Sequence, residues 1–225
     1  MGSLWTTLMS LAAAGVMMTS AAVDTAAPQH DADGLLFLIN REWRVTKAFV
    51  PSYRLANVPG QVRNMRDEAA TALEKMYAAC TKEAGVTLVS VSGYRSYTKQ
   101  SNIYNRKLKS VGSKAKADEY VARPGASEHQ LALAMDVGQK GKTNLNEGFA
   151  RTKGGMWLAE NCWRFGFIIR YQKGWEDITG YEYEPWHVRY VGEEYARMIH
   201  EKNVPFETFM KDLRESLLLD IVRGN

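Results

Sequence analysis

Apolar positions along this chain change their spacing several times, and each change predicts an element. In QVRNMRDEAATALEKMYAACTKEAG, Met65, Ala69, Ala72, Leu73, Met76 and Ala79 recur at helical spacing, and Gly85 stands in the stop position. VTLVSVSGYRSY then alternates as a strand does and opens into a polar turn holding Tyr94 and Arg95. A second helix is predicted in TKQSNIYNRKLKSVG on Ile103, Tyr104 and Leu108. KADEYVARPGASEHQ reads as a short helix followed by a Pro124-Gly125 turn, and LALAMDVG as a strand with Asp136 near its far end. A helix from about Thr152 to Trp163, stopped by Gly166, leads into the strand FIIRY. YEYEPWHVRYVG is strand-like but interrupted by Pro185. GEEYARMIHEKN and FETFMKDLRESLLLDIV are helices, the last amphipathic on Phe209, Leu213, Leu217 and Leu218. The segment before all of these, DGLLFLINREWRVTKAFVPSYRLANV, has short apolar runs broken by Pro51 and reads as irregular chain, with at most an edge strand, wrapped around the domain. Strands and helices mix without regular βαβ alternation, so the expected class is α+β, a small antiparallel sheet with flanking helices.

Length and composition narrow the picture without redirecting it. A chain of 225 residues suits one domain with an extension at each end. The formal net charge of +4 is mild, and the basic run from Asn105 to Lys116 lacks interleaved aromatics to stack bases. It reads as a solvated face, and no nucleic-acid partner is expected. The first residues carry no charge before Asp24 and have an apolar core from Leu8 to Met18, too short to span a bilayer easily, followed by small residues. Residues 1–27 therefore read as a signal peptide or N-terminal anchor and residues 28–225 as the functional domain. Export to the cell wall or the periplasmic side is the expected destination, or the cytoplasm if the segment is not a signal, and membrane association is expected only through this segment. Cys80 and Cys162 lie in helical apolar patterns and read as two buried thiols.

The candidate chemistry starts at Asp136. A carboxylate inside LALAMDVG costs several kcal/mol unless a partner compensates it. Of the four histidines, His30 and His200 sit in ordinary surface contexts. His129 in GASEHQ and His187 in YEYEPWHVRY stand beside acidic residues, turn formers and aromatics. With Asp136 they make a His, Asp, His set of the kind that suits a divalent metal of zinc type with an open fourth position. Glu184, three residues before His187, is the candidate base, although in an extended run those two side chains point to opposite sides. Arg95, in the strand-to-helix turn where side chains commonly line a site, is a candidate to stabilise an oxyanion, or else an exposed arginine without a role. Ser127 could donate to a substrate carboxylate or cap its turn.

The segments VSGYRSYTKQ, PGASEHQLALAMDVG, GFIIRY and TGYEYEPWHVRYVG, in that order, resemble the VanY-type D-alanyl-D-alanine carboxypeptidases. These belong to the zinc metallopeptidase group that also holds VanX-type dipeptidases and the metal-binding domain of hedgehog proteins. The likeness runs from about Leu35 to Phe209 and rests on the S-x-H-x-x-G-x-A-x-D and E-x-W-H patterns together with the arginine turn. It implies a hedgehog/D-Ala-D-Ala-peptidase-like fold, Zn2+ held by His129, Asp136 and His187, Glu184 as catalytic base and Arg95 as transition-state stabiliser. Ser127 and Gln100 would hold the terminal residue of the substrate, a peptidoglycan stem peptide ending in D-Ala. The implied reaction is removal of that C-terminal D-alanine. A D-Ala-D-Ala dipeptidase, an L,D-type or endopeptidase activity on wall peptides, and a non-catalytic zinc-containing wall-binding module remain as alternatives. At Ala132 the family has glycine, and the added methyl is expected to narrow the substrate's berth while leaving the ligands and the base intact.

Overall fold

The computed structural model describes residues 34–223; the leader and His30 lie outside them. Four antiparallel strands form the central sheet: β3 (Leu88–Ser92), β4 (Ala134–Gln139), β6 (Glu184–Tyr190) and β5 (Phe167–Tyr171), in that spatial order. A two-stranded ribbon, β1 (Arg54–Leu55) with β2 (Asn64–Met65), precedes it. The helices are α1 (Asp67–Ala84), α2 (Tyr97–Val111), α3 (Lys114–Tyr120), α4 (Lys153–Asn161), α5 (Glu176–Thr179), α6 (Glu193–Lys202) and α7 (Phe206–Arg223). The expected α+β class, a small antiparallel sheet with flanking helices, is what the chain adopts.

Strand alternation sends each side chain to one of two environments. Met135 and Val137 of β4, Val188 of β6, and Phe167 and Ile169 of β5 point to one face, where α1 contributes Ala69, Leu73, Met76 and Cys80 and α4 contributes Trp157 and Leu158 to one buried cluster. Residues one step out of phase, Asp136, His187, Arg189, Arg170 and Ile168, belong to the opposite face. There α6 and α7 close a second apolar cluster of Ile168, Val191, Ala196, Ile199, Phe206 and Phe209. The chemistry therefore stands on the face of the sheet away from the main core. Asp136 and His187 are direct cross-strand partners, which brings residues 51 apart in sequence onto the same spot.

Several predicted boundaries move. Met65 is in β2 and α1 begins only at Asp67. β4 starts at Ala134, because Glu128–Leu131 winds as a 3-10 turn and Ala132 is left-handed at φ 56°. Asp136 is thus the third residue of its strand and not near its end. α4 gives way to a 3-10 turn at Cys162–Phe165, stopped by left-handed Gly166. Pro185 does not interrupt β6, since β4 pairs with β6 only from His187 to Arg189 and leaves the proline's missing donor without a ladder partner to satisfy. In α7, Phe209 is buried and Leu213 half-buried; the side chains of Leu217 and Leu218 are not among those described. Cys80 and Cys162 are free and buried. The basic run covers the end of α2 and the start of α3, and its charged residues are largely exposed.

The chain ahead of β1 is irregular and acts as a strap. Leu38, Ile39, Val45 and Phe49 are buried. Val45 N donates to Gly125 O at 2.9 Å, and the Gln130 side-chain amide donates to Thr46 O and Phe49 O at 2.9 and 3.2 Å. Gly125 is needed there, because at φ +85° a Cβ would meet Val45 O at 2.5 Å. The strap therefore clamps the turn that carries His129.

Candidate metal centre and active site

His129 arrives from the 3-10 turn, Asp136 from β4 and His187 from β6, all three buried. One ligand atom from each lies within 4.8 Å of the others. Asp136 Oδ1 is 3.0 Å from His187 Nδ1, and Asp136 Oδ2 is 3.2 Å from His129 Nε2. The two rings stand nearly perpendicular, with centroids 5.0 Å apart. Each imidazole has its remaining nitrogen engaged. His129 Nδ1 lies 2.8 Å from Gly93 O, so it is the donor there, and His187 Nε2 lies 3.2 Å from Glu128 Oε2. That leaves His129 Nε2 and His187 Nδ1 facing Asp136. His129 Nε2 is buried with no hydrogen-bond partner, an orphan that a cation would satisfy.

The electrostatics point the same way. Burial opposes a charge on His187, but its hydrogen bonds to Asp136 and Glu128 outweigh that and raise its pKa to about 9. Burial, with Arg95 adding to it, lowers His129 to about 4. Asp136 stays well below the ordinary carboxylate range despite its burial, chiefly through His129. Two imidazole nitrogens with one carboxylate suit zinc and leave a coordination position open.

Glu184 solves its geometric problem through a bulge. Between the pairs Ile169–Val188 and Tyr171–Glu184, β5 advances two residues while β6 advances four. The extra residues turn Glu184 onto the face of His187, and its Oε2 lies 3.7 Å from His187 Nδ1. Burial raises the Glu184 carboxyl to about 7, the charge on Asp136 adding to the effect while His187 and Arg95 oppose it.

Arg95 follows β3 in the turn before α2, where Ser96 caps the helix by accepting from Lys99 N at 3.3 Å. Its main-chain N donates to His129 O at 3.1 Å, and its Nε is buried without a partner. Burial lowers its pKa, with Asp136 and Glu184 acting against that. Gly93 has no room for a side chain, since a Cβ would sit 2.6 Å from Asn64 O, and its own carbonyl holds His129. Ser127 is buried two residues before His129 and makes no side-chain cap, so its hydroxyl is not spent on the turn. Gln100, on α2, donates to Ala122 O at 2.6 Å and keeps a buried Oε1 without a partner. Ala132 is fully buried, so its methyl does not narrow an open berth; the glycine position reflects backbone conformation instead.

Residues that sequence reasoning passed over lie behind the cluster. Glu128, Arg170 and Arg189 are all buried and mutually paired. The signal was present: an arginine inside FIIRY and another inside WHVRY pose the same question as an aspartate inside LALAMDVG.

A buried His, Asp, His cluster that could hold a metal ion, with a carboxylate and a guanidinium at its edge, on one face of a small antiparallel sheet, is the arrangement expected of a metal-dependent hydrolase. The particular family follows from comparison. Residues 62–193 match the family VanY, D-alanyl-D-alanine carboxypeptidase, and the chain belongs to that family. YodJ of Bacillus subtilis (strain 168), a carboxypeptidase by name, is 40% identical over 193 residues, covering 81% of this chain and 69% of the relative. The structure of the LdcB LD-carboxypeptidase is similar at a TM-score of 0.75 with 42% identity, over 80% of this chain and 87% of that one. A mutant of the vancomycin-resistance D,D-pentapeptidase VanY, in complex with Zn(II), is similar at 0.66 with 33% identity, over 78% and 98%. Against the D-alanyl-D-alanine carboxypeptidases of Enterococcus faecium and Enterococcus faecalis, the chain spans 47% and 48% of the relatives' length.

Proposed function

We propose that this protein is a zinc-dependent carboxypeptidase that removes the C-terminal D-alanine from peptidoglycan stem peptides or their precursors. The observation that carries this is the convergence of His129 Nε2, Asp136 and His187 Nδ1, with Glu184 Oε2 3.7 Å from the last of them. His129, Asp136 and His187 would hold the metal. Bound there, zinc supplies a Lewis acid that polarises the scissile carbonyl and makes water acidic enough to attack near neutral pH.

The chain's own residues do the rest. Glu184, with a carboxyl poised at about 7, accepts the proton of the attacking water and returns it to the leaving amine. Arg95, with an unpartnered Nε, donates to the oxygen that becomes negative in the tetrahedral intermediate. The Ser127 hydroxyl donates to the terminal carboxylate of the substrate. The buried Oε1 of Gln100 has no partner, so it offers an acceptor, which suits a substrate N–H. The apolar run from Leu8 to Met18, followed by small residues, supports export, which would place the enzyme beside its substrate in the wall compartment.

The test is an assay of the zinc-loaded protein on a defined pentapeptide stem, read by mass spectrometry. One D-alanine released, lost with EDTA and restored by zinc, is expected; no release with zinc present overturns the proposal. A second reading, L,D-carboxypeptidase activity, is favoured by the 42% identity to LdcB. A stem whose terminal bond joins an L residue to D-alanine, assayed beside one ending in D-Ala-D-Ala, separates the two.

A further inference from the structure

Directly behind His187 lies a group of charges that the proposed reaction does not use. Glu128 Oε2 meets His187 Nε2 at 3.2 Å. Its other oxygen, Oε1, accepts from Arg170 Nε at 2.8 Å and from Arg189 Nη1 at 3.0 Å. Arg170 continues outward to Glu207 in the first turn of α7, with its Nη1 donating to Glu207 Oε2 at 2.9 Å. Arg189 continues to the strap, donating from Nη2 to Leu35 O at 2.8 Å and Phe37 O at 3.0 Å. Both guanidiniums lie against the ring of Phe206, the first residue of α7, at 5.4 and 5.5 Å.

Two carboxylates and two guanidiniums balance in charge, so the group suits a neutral His187 whose one proton sits on Nε2, donated to Glu128 Oε2. Buried ion networks are often no more stabilising than apolar packing of the same volume, which makes stability alone a poor reason for this one. Its placement supplies a better reason. Glu128 is chain neighbour to His129 and hydrogen-bonding neighbour to His187, so one rigidly held carboxylate sets the position of both rings. Carboxylate partners of ligating histidines orient the ring and fix which nitrogen faces the metal.

We propose that Glu128 is the positioning residue that turns His187 Nδ1 toward the metal position, and that Arg170, Arg189 and Glu207 tether this hold to the C-terminal helix and the N-terminal strap. The metal geometry is then set partly from the two ends of the folded domain. This inference rests on the reading of His187 as a ligand.

Cobalt(II) is the probe, because its visible absorption reports coordination geometry independently of turnover. Wild-type protein is compared with Glu128→Ala, Glu128→Gln, Glu207→Gln and His187→Ala, each checked for folding by circular dichroism. Glu128→Ala is expected to weaken Co(II) binding about 10- to 100-fold and to shift the absorption bands. Glu128→Gln, which keeps an acceptor for His187 Nε2, is expected to recover part of both. Glu207→Gln is expected to weaken binding less, by up to about 10-fold. If His187→Ala loses Co(II) while the Glu128 and Glu207 variants keep wild-type affinity and spectrum, the inference falls and the ligand reading stands. Equal binding by wild type and His187→Ala, or none by either, overturns both. A weakened Glu128→Ala beside an unchanged Glu207→Gln overturns the tether to the helix. Should Glu128→Ala not fold, the milder Glu128→Gln decides on Glu128 and Glu207→Gln, whose site is partly exposed, decides on the tether, by the same two readouts.

Discussion

Ala132 carries its methyl through left-handed backbone at φ 56°, immediately after the turn of His129. An L residue there costs about 1–2 kcal/mol relative to a right-handed conformation, a penalty glycine escapes. Glycine loses about 0.4–1 kcal/mol of that advantage through its freer unfolded chain. Losing the fully buried methyl costs about 0.8 kcal/mol, so Ala132→Gly is expected to stabilise the protein only modestly, by up to about 1 kcal/mol, or a melting temperature at most about 2–4 °C higher. Calorimetry measures it, and no gain would mean that the turn holds the alanine without strain. At Glu184 the expectation concerns rate. Glu184→Gln keeps the shape and removes the proposed base, so turnover of the stem peptide should fall about 10²- to 10⁴-fold. Zinc content by atomic emission should stay at the wild-type level, whereas a parallel loss of metal would assign Glu184 to the ligand set instead.

Elements place these residues through their irregularities more than through their regular parts. The bulge in β6 turns Glu184 onto the face of His187, and the bulge in β3 lies opposite Asp136. The helix cap after Arg95 does comparable work. Ser96 ends the turn of Arg95 and accepts from Lys99 N to start α2. Ser96→Ala is expected to cost about 1 kcal/mol in urea denaturation. By loosening the turn it should also lower kcat more than it raises KM, since Arg95 is assigned to the transition state. A loss confined to stability would separate the cap from the guanidinium. The bulges left no trace in the hydrophobic pattern, because a two-residue period reports which face a side chain takes only while the strand stays regular.

If the proposed metal is held, protonation, metal binding and stability are coupled across the whole molecule. Without metal, His187 at about 9 is raised above its ordinary value and Glu184 at about 7 is raised likewise. Each then contributes stability at low pH that is lost as pH climbs: for Glu184 by about 7, for His187 between about 6.5 and 9. His129, lowered to about 4, acts oppositely, but its effect is complete once pH exceeds about 6.5. Metal-free protein should therefore melt at progressively lower temperature from pH 6.5 to 9. Zinc requires the deprotonated ligands, so the gap in melting temperature between zinc-loaded and EDTA-treated protein should widen over the same range. A constant gap in thermal scans would contradict the assignment of His187 to the metal.

Much of this protein was legible in its sequence. Helical spacing in α1 and α2, alternation in β3 and the strand runs around Asp136 and His187 fixed the class. Two histidines and an aspartate in costly surroundings, with the two motifs that frame them, identified the cluster and the family. Those features are local, since periodicity and the expense of burying charge can be read from a short window. What needed the tertiary structure is whatever depends on two distant segments meeting. The direct pairing of Asp136 with His187, the bulge that brings Glu184 round, and the tie from Glu128 through Arg170 to Glu207 are cross-strand and cross-element distances. Single-strand patterns carry no information about register, so the sequence determined which groups were available and the fold decided which atoms of them face one another.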